Sequence, residues 1–216
     1  MCGRYSLWDL TQLEKTYGPW KPNDSQLPML KPKYNSAPTM KMPIKTKDGL
    51  KMAKWGLIAP WAKEFEMTYS TINARQEGLE DSKLYARLLN KNRCLVPMNS
   101  FFEWKGSGKE KTPYLIKLKD REIFAVAGLY DHWHNDKQEE FLSYTIITTE
   151  PNRLMESIHN RMPVILSKSD EEKWLNGYNH NLLDSYPEKE MEAFPVSTLV
   201  NKPSNDSTAV IEPMGI

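Results

Sequence analysis

The chain has 216 residues, of which 39% are hydrophobic, 11% aromatic and 26% charged, a composition unlike that of disordered, collagenous or membrane-embedded chains. No apolar run approaches the roughly 20 residues of a membrane-crossing helix. Two cysteines are too few for a disulfide framework, so a reducing cytoplasm is the expected compartment. The opening MCGRYSLWDL lacks the basic and apolar regions of a signal peptide. The net charge of +1 hides an uneven distribution: residues 1–60 carry ten basic and four acidic side chains, whereas 131–190 carry six basic and twelve acidic. An anionic partner is therefore expected to meet the N-terminal part.

In chain order, Leu7, Leu10, Leu13 and Tyr17 recur at helical spacing, with Thr11 and Glu14 placed like a capping box and Gly18 as a stop. A strand is predicted over 50–57. A second helix is predicted over about 79–89, with Leu84, Leu88 and Leu89 as its apolar contacts, and a strand over 93–98. Tyr114, Ile116 and Leu118 alternate with Leu115, Lys117 and Lys119, the period of a half-buried strand. Residues 123–129 and 144–148 are rich in β-formers and flank the polar turn DHWHNDKQEE. A short helix near 151–158, a strand over 163–166, a third helix after Ser169 (spaced to Glu172 as a capping box) and a strand over 194–198 complete the series. No repeat, low-complexity tract or long linker divides the chain. One domain over 1–216 is expected, with a core of about 2–200 and a tail of about 201–216. The fold class is α+β: a mixed, mainly antiparallel, strongly twisted and barrel-like sheet with a few flanking helices.

Cys2 is the most informative residue. Removal of the initiator methionine would expose a 1,2-aminothiol, whose amine forms an imine with an aldehyde and whose thiol then closes a five-membered thiazolidine. An internal cysteine gives only a labile hemithioacetal, and a lysine only a hydrolysable imine. The α-amine, with an ordinary pKa of about 7.7–8.0, keeps a useful neutral fraction near neutrality. Asn73-Ala74-Arg75 combines a neutral amide with a guanidinium, suited to a sugar and a phosphate. Phe101-Phe102-Glu103-Trp104 sets a carboxyl group among large aromatics, where it could move protons. His159 stands two residues before Arg161, an imidazole beside another phosphate-capable group. Taken singly, each also fits an ordinary structural role: Asn73 as a turn former, Glu103 as a surface charge, His159 as a core histidine.

Together these segments resemble the SRAP family, named from the SOS-response-associated peptidase label. The matching stretches run in order from Met-Cys-Gly-Arg at 1–4 through Tyr-Asn-Ser-Ala-Pro-Thr at 34–39, Trp-Gly-Leu-Ile at 55–58 and Asn-Ala-Arg at 73–75. They continue with Arg-Cys-Leu-Val-Pro at 93–97, Phe-Phe-Glu-Trp at 101–104, Ala-Gly-Leu-Tyr at 127–130, Thr-Thr at 148–149 and His-Asn-Arg-Met-Pro at 159–163. Two stretches depart from the family's usual residues: Gln76 stands where Ser or Ala commonly precedes the family's Glu, here Glu77, and Met98-Asn99-Ser100 replaces a more usual Ala-x-Gly before the aromatic pair. The resemblance implies a DNA-damage protein that crosslinks to abasic sites in single-stranded DNA through Cys2, with Asn73, Glu103 and His159 around it. It further implies that Arg4, Arg75 and Arg161 hold phosphates, that Pro38 and Trp104 stack on bases, and that Thr148 and Thr149 line the DNA path. Self-removal of Met1 and weak β-lyase activity would accompany this chemistry.

Two other readings use the same residues. A cysteine peptidase or amidohydrolase with an N-terminal nucleophile would use Cys2, His159 and Glu103 but leaves the arginines unexplained. A non-covalent single-strand-binding module would use the arginines and aromatics but leaves Cys2 idle. A metal site is the weakest reading, because Cys2 and Cys94 lack ligand spacing and His132 and His134 fall in the polar turn. Cys94, between apolar neighbours, is expected in the core. No cofactor or metal is expected, and the expected state is a monomer acting on single-stranded DNA away from membranes.

Overall fold

The computed structural model describes residues 2–20, 30–65, 71–108 and 111–215. Among them, β1 (Tyr5–Leu7) leads into α1 (Leu10–Tyr17), followed by β2 (Lys33–Ser36), β3 (Lys41–Thr46), β4 (Gly49–Trp55) and β5 (Asn73–Arg75). Next come β6 (Arg93–Met98), β7 (Ser100–Lys105), β8 (Thr112–Leu118), β9 (Phe124–His134) and β10 (Glu140–Thr149). The chain closes with α2 (Arg153–Glu156), β11 (Met162–Pro163), α3 (Lys168–Asn176) and β12 (Met191–Pro195).

The strands form two sheets. The larger runs β11-β10-β4-β3-β6-β9, and β9 pairs again with β10, so its wall closes on itself; β5 adds to β10. Closure leaves few edge groups unpaired and forces strong twist. β10 runs parallel to β4 and β5, while the other pairings of this sheet are antiparallel. The smaller sheet, β12-β8-β7-β1-β2, is antiparallel throughout. The mixed, mainly antiparallel α+β architecture read from the sequence is the one found.

β9 is the strand that makes the closure tight. Gly128 faces Cys94 on β6 and Ile146 on β10. A Cβ there would lie 2.9 Å from the Thr145 carbonyl oxygen and 3.0 Å from Cys94 Sγ and Val96 Cγ2. The backbone oxygen cannot retreat without opening the β9–β10 ladder. We expect Gly128→Ala to lower stability by about 1–3 kcal/mol through overpacking, read as a reduced midpoint in a urea melt; an unchanged midpoint would show that the wall relaxes freely. Cys94 itself is fully buried in the main core, as expected.

β1 joins the two sheets. Tyr5 pairs with Ser36 and Phe101 in the small sheet. Its ring lies 5.1 Å from that of Trp55, and its hydroxyl is 2.7 Å from the Tyr144 hydroxyl in the large sheet. The hydrogen bond between these buried hydroxyls offsets much of the cost of taking them out of water. This anchoring three residues away fixes where Cys2 sits.

Several local expectations are corrected. Residues 79–89 do not form an α-helix; only 3-10 turns at Gln76–Gly78 and Ala86–Leu88 appear. Ser82 Oγ accepts from the Leu84 and Tyr85 amides, offering the backbone a turn in place of a helical start. α1 is capped by Asp9, which accepts from the Gln12 amide, rather than by Thr11. α3 begins earlier than Ser169, because Ser167 accepts from the Asp170 amide. The helix near 151–158 is limited to α2, capped by Asn152. The polar stretch after Tyr130 is mostly strand, and the turn shrinks to 135–139, where Asn135 Oδ1 accepts from the Lys137 and Glu139 amides.

The segment read as a C-terminal tail packs onto the small sheet. Val200 and Val210 are buried with Phe102, Leu115 and Val196. Asp206 accepts from the Tyr34 and Asn35 amides, and the Met214 amide donates to Pro195 O.

Candidate active site and nucleic-acid interface

Cys2 precedes β1 and is fully buried. On β7, alternation sends Phe102 into the small-sheet cluster and Phe101 into the main core. Glu103 follows the side of Phe101, toward the N-terminal segment. The Phe102 amide donates to Arg4 O at 2.9 Å, so β7 and the chain before Tyr5 stay paired as far as Cys2's neighbourhood. Glu103 is buried, with only 3% of its surface exposed. From the large sheet, Asn73 on β5 donates from Nδ2 to the Cys2 carbonyl oxygen at 2.9 Å. Its Oδ1 is buried and meets no hydrogen-bond partner among the described residues. Burial, and then the charge of Glu103, push the Cys2 thiol up to about 12. The sulfur is therefore a neutral S–H at neutral pH.

His159 lies just after α2, half-buried, its amide donating to Met155 O at 2.7 Å. The Arg161 amide donates to His159 Nδ1 at 3.0 Å, and the same nitrogen lies 3.3 Å from the Arg161 carbonyl oxygen, so the Arg161 backbone fixes the ring's orientation. β11 follows directly and pairs with Thr148 and Thr149, while Arg75 on β5 pairs with Thr148 from the opposite edge of β10. Arg75 and Arg161 thereby reach one open cavity of about 510 Å³, which Asn160, Glu150 and Glu156 also line.

Arg4 lies on the small-sheet side. Its NH1 donates to Asn35 Oδ1 at 2.8 Å and to Val200 O at 2.7 Å, and its guanidinium carbon is 5.8 Å from the Trp104 ring centre. Trp104 Nε1 donates to Asn201 Oδ1 at 2.7 Å. Pro38, half-buried, precedes Thr39, whose φ of 76° is a left-handed conformation costly for a β-branched residue. The Thr39 amide donates to Trp55 O at 2.8 Å, which holds this turn on the barrel.

The structure thus brings Cys2, Asn73 and Glu103 together, pairs Arg75 with Arg161, and sets Arg4 beside Trp104. Thr148 and Thr149 are buried: Thr148 Oγ1 donates to Ala74 O at 3.5 Å, and Thr149 Oγ1 accepts from Gln76 Nε2 at 2.8 Å. Both act here as internal ties between β5 and β10. Sequence reasoning missed Asn35, whose Nδ2 also contacts Val200 O, Lys202 O and Asn205 O, and Glu77, which pairs with Arg161. Asn35 stands inside the quoted 34–39 stretch, so a signal was present; Glu77 stood there only as the family's Glu after the departure at Gln76.

The site is thus a buried cysteine held by the Asn73 amide and facing the Glu103 carboxylate, with Arg4 two residues after Cys2 and Arg75 two residues after Asn73. The chain belongs to the SOS response associated peptidase (SRAP) family, which it matches over residues 1–203. It is 41% identical to the abasic site processing protein YoqW of Bacillus subtilis, over 98% of this chain and 99% of that protein. It is 30% identical to the abasic site processing protein HMCES of Xenopus tropicalis, over 87% of this chain and 67% of that protein. A crystal structure of a Bacteroides thetaiotaomicron protein superposes with a TM-score of 0.89 at 28% identity, covering 99% of this chain and all of that one. No helix of the described residues is long and apolar enough to cross a membrane.

Proposed function

We propose that this protein processes abasic sites in single-stranded DNA by bonding covalently to the ring-opened sugar through Cys2. The observation that carries the reading is the burial of Cys2 against Asn73 and Glu103, with its thiol held neutral. The α-amine attacks the aldehyde carbon, and the carbinolamine loses water to give an imine. The Cys2 sulfur then bonds to the imine carbon while its proton passes to the nitrogen, closing a thiazolidine. The sum is aldehyde plus aminothiol giving thiazolidine plus one water, with no redox change.

Glu103 carries protons between the amine, the departing hydroxyl and the thiol. His159 assists departure of the sugar oxygen. Asn73 fixes the Cys2 carbonyl with Nδ2, and Oδ1 of the same amide is the acceptor available to the α-amine. Arg75 and Arg161 supply phosphate contacts, and Trp104 with Pro38 supplies apolar faces for bases. Stacked duplex would obstruct the sugar, so single strands are the preferred substrate.

The peptidase reading requires a thiolate. Nucleophilic cysteines reach one through a depressed pKa, whereas here burial drives the thiol the other way. The deciding measurement is intact mass after incubation with an abasic oligonucleotide. We expect protein plus oligonucleotide less one water, with the adduct on the N-terminal peptide. Recovery of unmodified protein beside an intact oligonucleotide would overturn the proposal, and a cleaved amide with the thiol regenerated would favour the peptidase.

A further inference from the structure

We propose that Glu77 is a built-in stand-in for a DNA phosphate on Arg161, so that a strand enters this position by exchanging one anion for another. The inference rests on the single-strand reading above and adds a residue that limits affinity.

The geometry is that of an occupied anion site. Arg161 NH1 donates to Glu77 Oε1 at 2.6 Å, and NH2 donates to Oε2 at 3.0 Å. This two-pronged contact is the one a guanidinium makes with two phosphate oxygens. The partners are unequally held. The Arg161 side chain is only 11% exposed and NH2 also donates to Thr148 O at 2.6 Å, whereas the Glu77 side chain is 48% exposed. The cation is therefore the fixed member and the carboxylate the one that can leave. Glu77 sits in the 3-10 turn Gln76–Gly78, where a Cβ built on Gly78 would meet nothing within 4 Å, so this side of the turn is not packed against the fold. Arg161 also lines the 510 Å³ cavity with Arg75, the route by which a phosphate would arrive. Hydrogen bonding from Arg161 holds the Glu77 carboxyl below its usual range, so it stays ionised at neutral pH.

The exchange has a physical consequence. A phosphate arriving at a bare guanidinium gains a full charge-assisted contact and releases a condensed counterion. When Glu77 is displaced, the lost ion pair offsets much of that gain, and the freed carboxylate recruits a cation in place of the one released. Intact strands are then held loosely, and lasting residence is left to the covalent bond at Cys2.

The test compares wild type, Glu77→Gln, Arg161→Ala and the double variant by fluorescence anisotropy with an intact single-stranded oligonucleotide over a salt series. Glutamine keeps the shape of an exposed side chain, and a thermal melt of each variant checks the fold. We expect Glu77→Gln to bind about 3- to 10-fold more tightly at low salt, and its log–log salt slope to steepen by about 0.7, one further single-strand phosphate's worth. Arg161→Ala should abolish both changes. If Glu77 instead props Arg161 into position for DNA, Glu77→Gln binds more weakly, and the proposal is wrong; an unchanged affinity and slope overturns it equally. Should wild type neither bind nor bond to an abasic strand, the single-strand reading itself fails. Wild-type crosslinking with no gain in Glu77→Gln removes only the present inference.

Discussion

Glu103→Gln is expected to crosslink abasic single strands about 10²–10⁴-fold more slowly than wild type while binding intact strands with nearly unchanged affinity. The amide is nearly isosteric with the carboxylate, so packing behind Phe101 and the β7 pairing with Tyr114 on β8 should survive. What it loses is the ability to accept and return a proton at the two steps that need one, loss of water from the carbinolamine and transfer from sulfur to nitrogen. The thiol makes the second step demanding: with burial and the Glu103 charge raising it to about 12, solvent hydroxide removes little of its proton near neutrality. Replacing Glu103 lifts one of the causes of that elevation, so the thiol should become slightly more acidic. A stronger intrinsic nucleophile combined with a slower reaction would isolate the missing proton carrier from any change in sulfur reactivity. Single-turnover rates against pH read this directly. In wild type the rate should rise toward the α-amine's range of about 7.7–8.0 and then level off, with no second rise at the ordinary thiol value of about 8.5. Profiles of equal height and shape for wild type and Glu103→Gln would confine Glu103 to a structural role beneath Trp104.

The fold class was legible because the strands that build the barrel wall are long and rich in β-formers. β8 alternates, and β9 over 124–130 and β10 over 144–149 are rich in β-formers and buried on both faces. The short strands were not legible. β1 and β5 have three residues each, and their strand character comes from partners distant in sequence, Ser36 and Phe101 for Tyr5 and Ile146 for Asn73. No window of local periodicity contains those partners. The same holds for the chemistry. Cys2 carried its own chemical signal, but Asn73 and Glu103 were grouped with it only through family motifs, whereas the meeting of the three results from β1 bridging the two sheets. The false helix over 79–89 shows the opposite error, a local apolar count outweighed by a serine side chain that satisfies the backbone first. The Arg161 contact could not be read at all, since nothing in the order Arg75, Gln76, Glu77 indicates that the carboxylate turns toward a loop more than eighty residues away.

A protein that keeps Met1, or carries an N-terminal tag, is expected to bind single-stranded DNA normally and to form no durable crosslink. With any residue attached, the Cys2 nitrogen is an amide, planar and delocalised, and cannot form an imine. The sulfur is still present, but alone it yields a hemithioacetal that reverses on denaturation, and at neutral pH it is a protonated thiol rather than a thiolate. Asn73 holds the Cys2 carbonyl and not its nitrogen, so the two proteins are expected to differ at the nitrogen and hardly at all in fold. Cys2→Ser with a free terminus separates the two halves of the reaction: its amine should form the imine, trappable by borohydride, but without sulfur the trap must be added by the experimenter. A self-processing amidohydrolase makes a different forecast, in which Met1 disappears only when the Cys2 thiol is intact, whatever DNA is supplied. Tagged, processed and Cys2→Ser proteins compared by intact mass and denaturing gel distinguish these cases. A heat-stable adduct formed by protein whose mass still includes Met1 would rule out the aminothiol mechanism, because sulfur would then be bonding to the sugar unaided by the terminal nitrogen.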